Sequence, residues 1–239
     1  MFLKQLIIQN KNTIIRDIHF HKGINLIVDE RPESIRQKTD TGNSIGKTTV
    51  LRLVDYCFGG DGKNIYQDTE FNKQPNTTIE NFLKDNEIII TVVLVDNLDI
   101  PKEKVIIRKN FLLRNKKIQE INGQNITDNK EFDKALKKEI FKSEVDKPTF
   151  KQIISKNIRD EKNKMANIVK VLNSFTRIEE YEALYLFWLG INTDNHNQKE
   201  LLSKEKTREE NFQKRLKKDG ELSLIEQQLI LLNGKIEEL

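Results

Sequence analysis

Apolar and polar residues nearly alternate in FLKQLIIQN (2–10), and IIRDIHFH (14–21) repeats the alternation; both stretches are rich in β-branched residues and predict strands. Gly23 turns the chain into INLIV (24–28), a short apolar run suited to a buried strand. The polar ERPESIRQKTDT that follows, with Pro32, reads as a loop. From Gly46 the period becomes helical: Val50, Leu51, Val54, Cys57 and Phe58 fall on one face, and Gly59-Gly60 supplies a stop.

Three further strand-like runs, EIIITVVLVD, KVIIRKNFLL and KIQEING, lie between 87 and 126, separated by short polar turns. They predict an antiparallel meander. Thr127 is the expected N-cap of a helix over DNKEFDKALKKEIF. Pro148 interrupts, PTFKQIISKNIRDEKNKM resumes as loop then helix, and YEALYLFWLG predicts an apolar helix ending at Gly190. The dense aromatics of that last helix, Tyr181, Tyr185, Phe187 and Trp188, read as core or interface residues.

Beyond Asn192 the composition shifts to Lys, Glu, Gln and Asn. Leu222, Ile225, Leu229, Leu232, Ile236 and Leu239 then recur at 3-4-3-4-3 spacing, the seam of a coiled coil. The domain reading is therefore a lobe over 1–190, with an antiparallel β insertion at about 87–126, and the start of a coiled-coil arm over 191–239.

Composition agrees with a globule plus a solvated helix: hydrophobic residues are 36% and charged residues 33%, with mean hydropathy −0.63. One cysteine, Cys57, excludes an internal disulfide, and the three histidines stand apart from it, so no metal-ligand cluster is expected. The N-terminus lacks a signal-peptide pattern and no apolar window suits a membrane span, so the expected location is the cytoplasm. A net charge of +4 permits a nucleic-acid partner without arguing for one.

The stretch that carries chemistry is TDTGNSIGKTT (39–49), set between an apolar run and an amphipathic helix. Backbone N–H groups opened by glycine at a helix N-terminus bind phosphate, a lysine covers the outer phosphates, and the next hydroxyl takes Mg²⁺. These roles fall to Gly46, Lys47 and Thr48, with Gly42, Asn43, Ser44, Ile45 and Thr49 lining the loop; the expected ligands are ATP and Mg²⁺. Thr41 stands where the usual loop begins with glycine, and Gly42 follows one place later.

GINLIVD, then GNSIGKTTVLRLVDYCFGG, resembles the N-terminal half of an SMC-like ATPase head, the group that includes RecN, and is most similar to bacterial SMC-like proteins of multi-component ABC-type systems. The resemblance implies an α/β fold: a P-loop NTPase head lobe of ABC type with an antiparallel β subdomain, a helical segment and an outgoing coil. It implies nucleotide-driven dimerisation of two heads in DNA repair, DNA maintenance or defence against foreign DNA, with other proteins of the same system as partners and no membrane. It also places Gln152 at Mg²⁺ and the attacking water, and Arg16 near the nucleotide.

No signature loop and no acidic Walker B strand follow. Asp29-Glu30 and Asp96 end the two imitations, one directly upstream of the loop and one in a hairpin. The resemblance thus implies half a head, a fragment or one of two polypeptides, whose ATPase activity awaits a C-terminal lobe. The alternative is a stand-alone kinase or small NTPase with a phosphate loop, acting on a soluble substrate. Seven basic residues, Lys102, Lys104, Arg108, Lys109, Arg114, Lys116 and Lys117, surround one acid, Glu103, and make DNA a candidate partner; a solvated sheet face is the plainer reading.

Overall fold

Six strands form one sheet in the order β2-β1-β3-β4-β5-β6. They are β1 (Phe2–Asn10), β2 (Thr13–His19), β3 (Ile88–Val95), β4 (Lys104–Asn110), β5 (Gln119–Ile121) and β6 (Gln124–Asn125). The computed structural model describes residues 1–11, 13–28, 47–67, 74–159, 166–191, 196–218 and 221–237. These divide into two compact units, Met1–Thr176 and Arg177–Leu239.

Every neighbouring pair of strands is antiparallel. The expected α/β head lobe of a P-loop NTPase is therefore overturned, because such a core is a parallel sheet and the described strands form an antiparallel one. The residues expected to begin the parallel core behave differently. Ile24–Val28 joins no strand, and Ile24, Leu26 and Val28 are 81%, 78% and 59% exposed. The meander of β3 to β6 shares its sheet with β1 and β2, since β3 pairs along the whole of β1 with Leu6 opposite Val92. Strands β2 and β3 flank β1, so the excursion between them links strands that never pair with each other.

That excursion carries helix α1 (Lys47–Cys57) and helix α2 (Thr77–Asp85). Leu53, Val54, Cys57 and Phe58 of α1, and Leu83 of α2, enter the core with Ile88, Ile90, Val92 and Leu94 of β3. Leu53 takes the place the sequence reading gave to Leu51, which is 45% exposed. Asn76 caps α2, accepting from the Ile79 N–H at 3.2 Å.

Helix α3 (Asn129–Phe141) starts one residue later than expected. Asp128, not Thr127, caps it by accepting from the Lys130 and Glu131 N–H groups at 2.9 Å. Phe132 and Leu136 anchor α3 in the core. Helix α4 (Phe150–Ser155) adds Phe150 and Ile154.

In the second unit, helix α5 (Ile178–Trp188) ends before Gly190, whose φ is +70°. Helix α6 (His196–Lys218) is tied to α5 by Lys199 Nζ, which donates to the two Glu182 oxygens at 2.5 and 2.6 Å. Helix α7 (Glu221–Glu237) carries the expected seam positions Ile225, Leu229, Leu232 and Ile236, while Leu239 lies outside the described residues. Among the described residues no helix is long and apolar enough to cross a membrane.

Ile90 is fully buried and Ile14 is 57% exposed. Ile90→Ala is expected to cost about 3 kcal/mol of stability, and Ile14→Ala less than about 0.5 kcal/mol, in urea unfolding followed by circular dichroism.

Candidate functional site

Helix α1 is the rigid part of the candidate site. It begins at Lys47, directly after Gly46, and its first turn contains no acidic residue. No carboxylate of the helix's own first turn therefore competes for its positive end. Thr48 is exposed and Thr49 half-buried. Gly42, Asn43, Ser44, Ile45 and Gly46, like Thr41 and Asp29-Glu30, lie outside the described residues.

The opposite end of α1 is clamped. The apolar stripe buries Leu53, Val54 and Cys57 against β3, and two bonds then reach the end of β4. Lys109 Nζ donates to the Tyr56 carbonyl at 2.8 Å, and the Tyr56 hydroxyl donates to the Asn110 carbonyl. The Tyr56 ring stacks on Phe111 with centroids 4.7 Å apart, and Lys109 Nζ lies 4.1 Å from the Tyr56 ring centroid. An ammonium at a helix C-terminus meets the negative end of the dipole, which favours this arrangement.

The chain leaves α1 through Gly59, whose φ is +87°. A Cβ there would stand 2.5 Å from Asp133 Oδ1, so the turn needs glycine for conformation and for space.

Two buried amines were hidden in basic stretches of sequence. Lys109 is 6% exposed, and burial pushes its pKa down to about 8. Lys137 is 4% exposed and donates to the Val145 and Pro148 carbonyls at 2.5 and 2.6 Å; burial likewise pushes it down to about 8. Burial also raises the Asp133 carboxyl, with Lys151 Nζ at 3.5 Å acting against it, and pushes the Cys57 thiol up to about 12. Cys57 is therefore a packed thiol and not a reactive one.

The remaining sequence-derived residues are dispersed. Gln152 sits in a capping box: its Oε1 accepts from the Thr149 N–H at 2.8 Å while the Thr149 hydroxyl accepts from the Gln152 N–H at 3.3 Å. Arg16 is exposed on β2 and donates to the Ile15 carbonyl at 3.0 Å. Asp96 Oδ1 accepts from the Lys102 and Glu103 N–H groups at 2.9 and 3.0 Å, which fixes the β3–β4 turn.

The basic run does not form one face. Arg108 pairs with Glu120 at 2.9 Å, Lys109 is buried, and Lys117 donates to Thr127 O and Asn129 Oδ1 at 2.7 and 3.0 Å. Lys102 and Lys104 are exposed at the start of β4, and Arg114 and Lys116 beyond its end.

No family model matches the chain. It is 27% identical over 209 residues to Uncharacterized protein YydD of Bacillus subtilis (strain 168), an alignment covering 82% of this chain and 32% of that protein. The chain thus spans about a third of the length of this relative.

Lys109 and Lys137 hold fewer protons in the folded than in the unfolded protein between about pH 8 and the ordinary lysine value of 10.5. Stability must therefore rise with pH above 8, by about 1 kcal/mol per lysine up to pH 9. Above 9.0 the unfolded Cys57 thiol ionises while the folded one stays protonated, which opposes the rise. Urea midpoints measured from pH 7 to 9 should show the increase, and Lys109→Met should remove about half of it. Gln152→Ala is expected to cost roughly 0.5–1 kcal/mol as a lost cap.

Proposed function

We propose that this chain is the nucleotide-binding part of an SMC-like coiled-coil ATPase, with ATP held by Gly42–Thr49. The observation that supports this reading is the coincidence of sequence and helix: Lys47 and Thr48 of the Gly-Lys-Thr motif open α1, an element fixed at its far end by Lys109 and Tyr56. The reading rests on this loop and helix and not on the sheet. Lys47 would cover the outer phosphates, and the exposed Thr48 hydroxyl would serve Mg²⁺, which supplies charge neutralisation at the phosphates when bound.

The apolar Ile24–Val28, exposed just before the loop, supports a second lobe as partner, either from the same polypeptide or a separate one. Hydrolysis is expected only with that lobe, which would bring the signature and acidic motifs. A second head, other proteins of the same system, DNA as substrate and a cytoplasmic setting in repair, maintenance or defence complete the proposal. Gln152 would reach the metal only by leaving its cap, so Gln152→Ala separates the two roles: loss of turnover in the completed ATPase marks catalysis, and a small stability loss alone marks the cap. The stand-alone kinase has no observation in its favour, because Asp96 is occupied in a turn.

Calorimetric titration with Mg-ATP tests the proposal. The unmutated chain should bind, Lys47→Ala should weaken binding by at least about tenfold, equivalent to about 1.4 kcal/mol, and Thr48→Ala should lose the Mg²⁺ dependence. Equal binding by Lys47→Ala would overturn the site, as would no binding by the unmutated chain.

A further inference from the structure

Helix α3 and the 143–150 segment flank a cavity of about 580 Å³, inside the roughly 300–1,000 Å³ range of small-molecule sites. More of its wall is apolar than polar, and Ala135, Val145 and Phe150 contribute to the apolar part. Two lysines of α3 tie the walls together. Lys137 donates to the Val145 and Pro148 carbonyls at 2.5 and 2.6 Å, and Lys138 pairs with Glu144 at 2.6 Å. The cavity is therefore preformed, and a ligand has no wall to order on binding.

Charge selects the ligand. Asp133, Glu144 and Asp146 line the cavity, and each is matched by a cation. Asp133 is held by Lys151 at 3.5 Å, Glu144 by Lys138, and Asp146 attracts the Lys137 ammonium. Lys130 and Lys134 also line the cavity and make no ion pair among the described residues. They stand at i,i+4 on α3, where like charges are neighbours that repel. An anion between them offsets that repulsion, and three carboxylates nearby make a monoanion a better guest than a dianion. We propose that this cavity binds a small aliphatic carboxylate, its chain against Ala135, Val145 and Phe150 and its head group between Lys130 and Lys134. Neither Lys47 nor Thr48 lines the cavity, so the proposal does not rest on the nucleotide reading.

The test is calorimetric titration of the full 239-residue chain with sodium octanoate, below its micelle concentration. Saturable binding at one site is expected. Octanol and acetate, each carrying half of the chemistry, should bind at least about tenfold more weakly. Lys130→Gln combined with Lys134→Gln should weaken octanoate at least about tenfold and leave the urea midpoint nearly unchanged, since neither side chain has an ion-pair partner to lose. Val145→Asp, at a half-buried position, should weaken it as strongly. Lys102→Gln combined with Lys104→Gln removes the same charge at the start of β4 and should leave binding unchanged, as should Lys47→Ala. No binding of octanoate by the unmutated chain overturns the proposal. So does octanol binding as tightly as octanoate, binding untouched by the Lys130 and Lys134 changes or by Val145→Asp, or an equal loss in the Lys102 and Lys104 control or in Lys47→Ala.

Discussion

Burial of β3 along its whole length is the constraint around which the first unit is arranged. All eight residues from Ile88 to Val95 are buried, and the strand is hydrogen-bonded on both edges, to β1 and to β4. A central strand of this kind needs apolar cover. Ile88, Ile90, Val92 and Leu94 receive it from α1 and α2, so the stripe that makes α1 amphipathic also fixes where the helix lies. The position of Lys47 and Thr48 at the start of α1 is in this sense a by-product of covering β3.

The clamp at the far end of α1 extends the same logic. Lys109 could reach water from an edge position, yet it lies on the inward face of β4 with Val105 and Ile107, and its ammonium meets the Tyr56 carbonyl. Burying a charge is costly unless it is hydrogen-bonded, and one carbonyl with an aromatic face offsets only part of that cost. The depressed pKa records the remainder. Lys137 repeats the device on the 143–149 segment with two carbonyls. Both lysines hold chain segments in place.

Local features were legible in the sequence. Alternation located β1 and β2, the helical stripe with Gly59 delimited α1, and the runs of the meander became β3 to β5. Pairing was not legible, because the partners of a strand are chosen by contacts far away in sequence: nothing in FLKQLIIQN says that it lies between β2 and β3. INLIV was misplaced for the same reason. Its composition suits burial, but no described strand pairs with it. Two signals were present and unread. Thr149 and Gln152 have capping-box spacing, and period two along KVIIRKN aligns Lys109 with Val105 and Ile107. For the candidate site, the helix that bears Lys47 and Thr48 was legible in the sequence, whereas the clamp behind that helix depends on three-dimensional packing.

The pairing of β1 with β3 also has a consequence for synthesis on the ribosome. β1 ends at Asn10 and β3 begins at Ile88, so nearly 80 residues must be made before the second partner of β1 exists. At about 5–20 residues per second this is a wait of roughly 4–16 seconds. During that interval the β1–β2 hairpin has one open edge, with Leu6 and Ile8 uncovered by β3. The nascent chain therefore passes through a period in which its own first strand is the surface most exposed to mispairing.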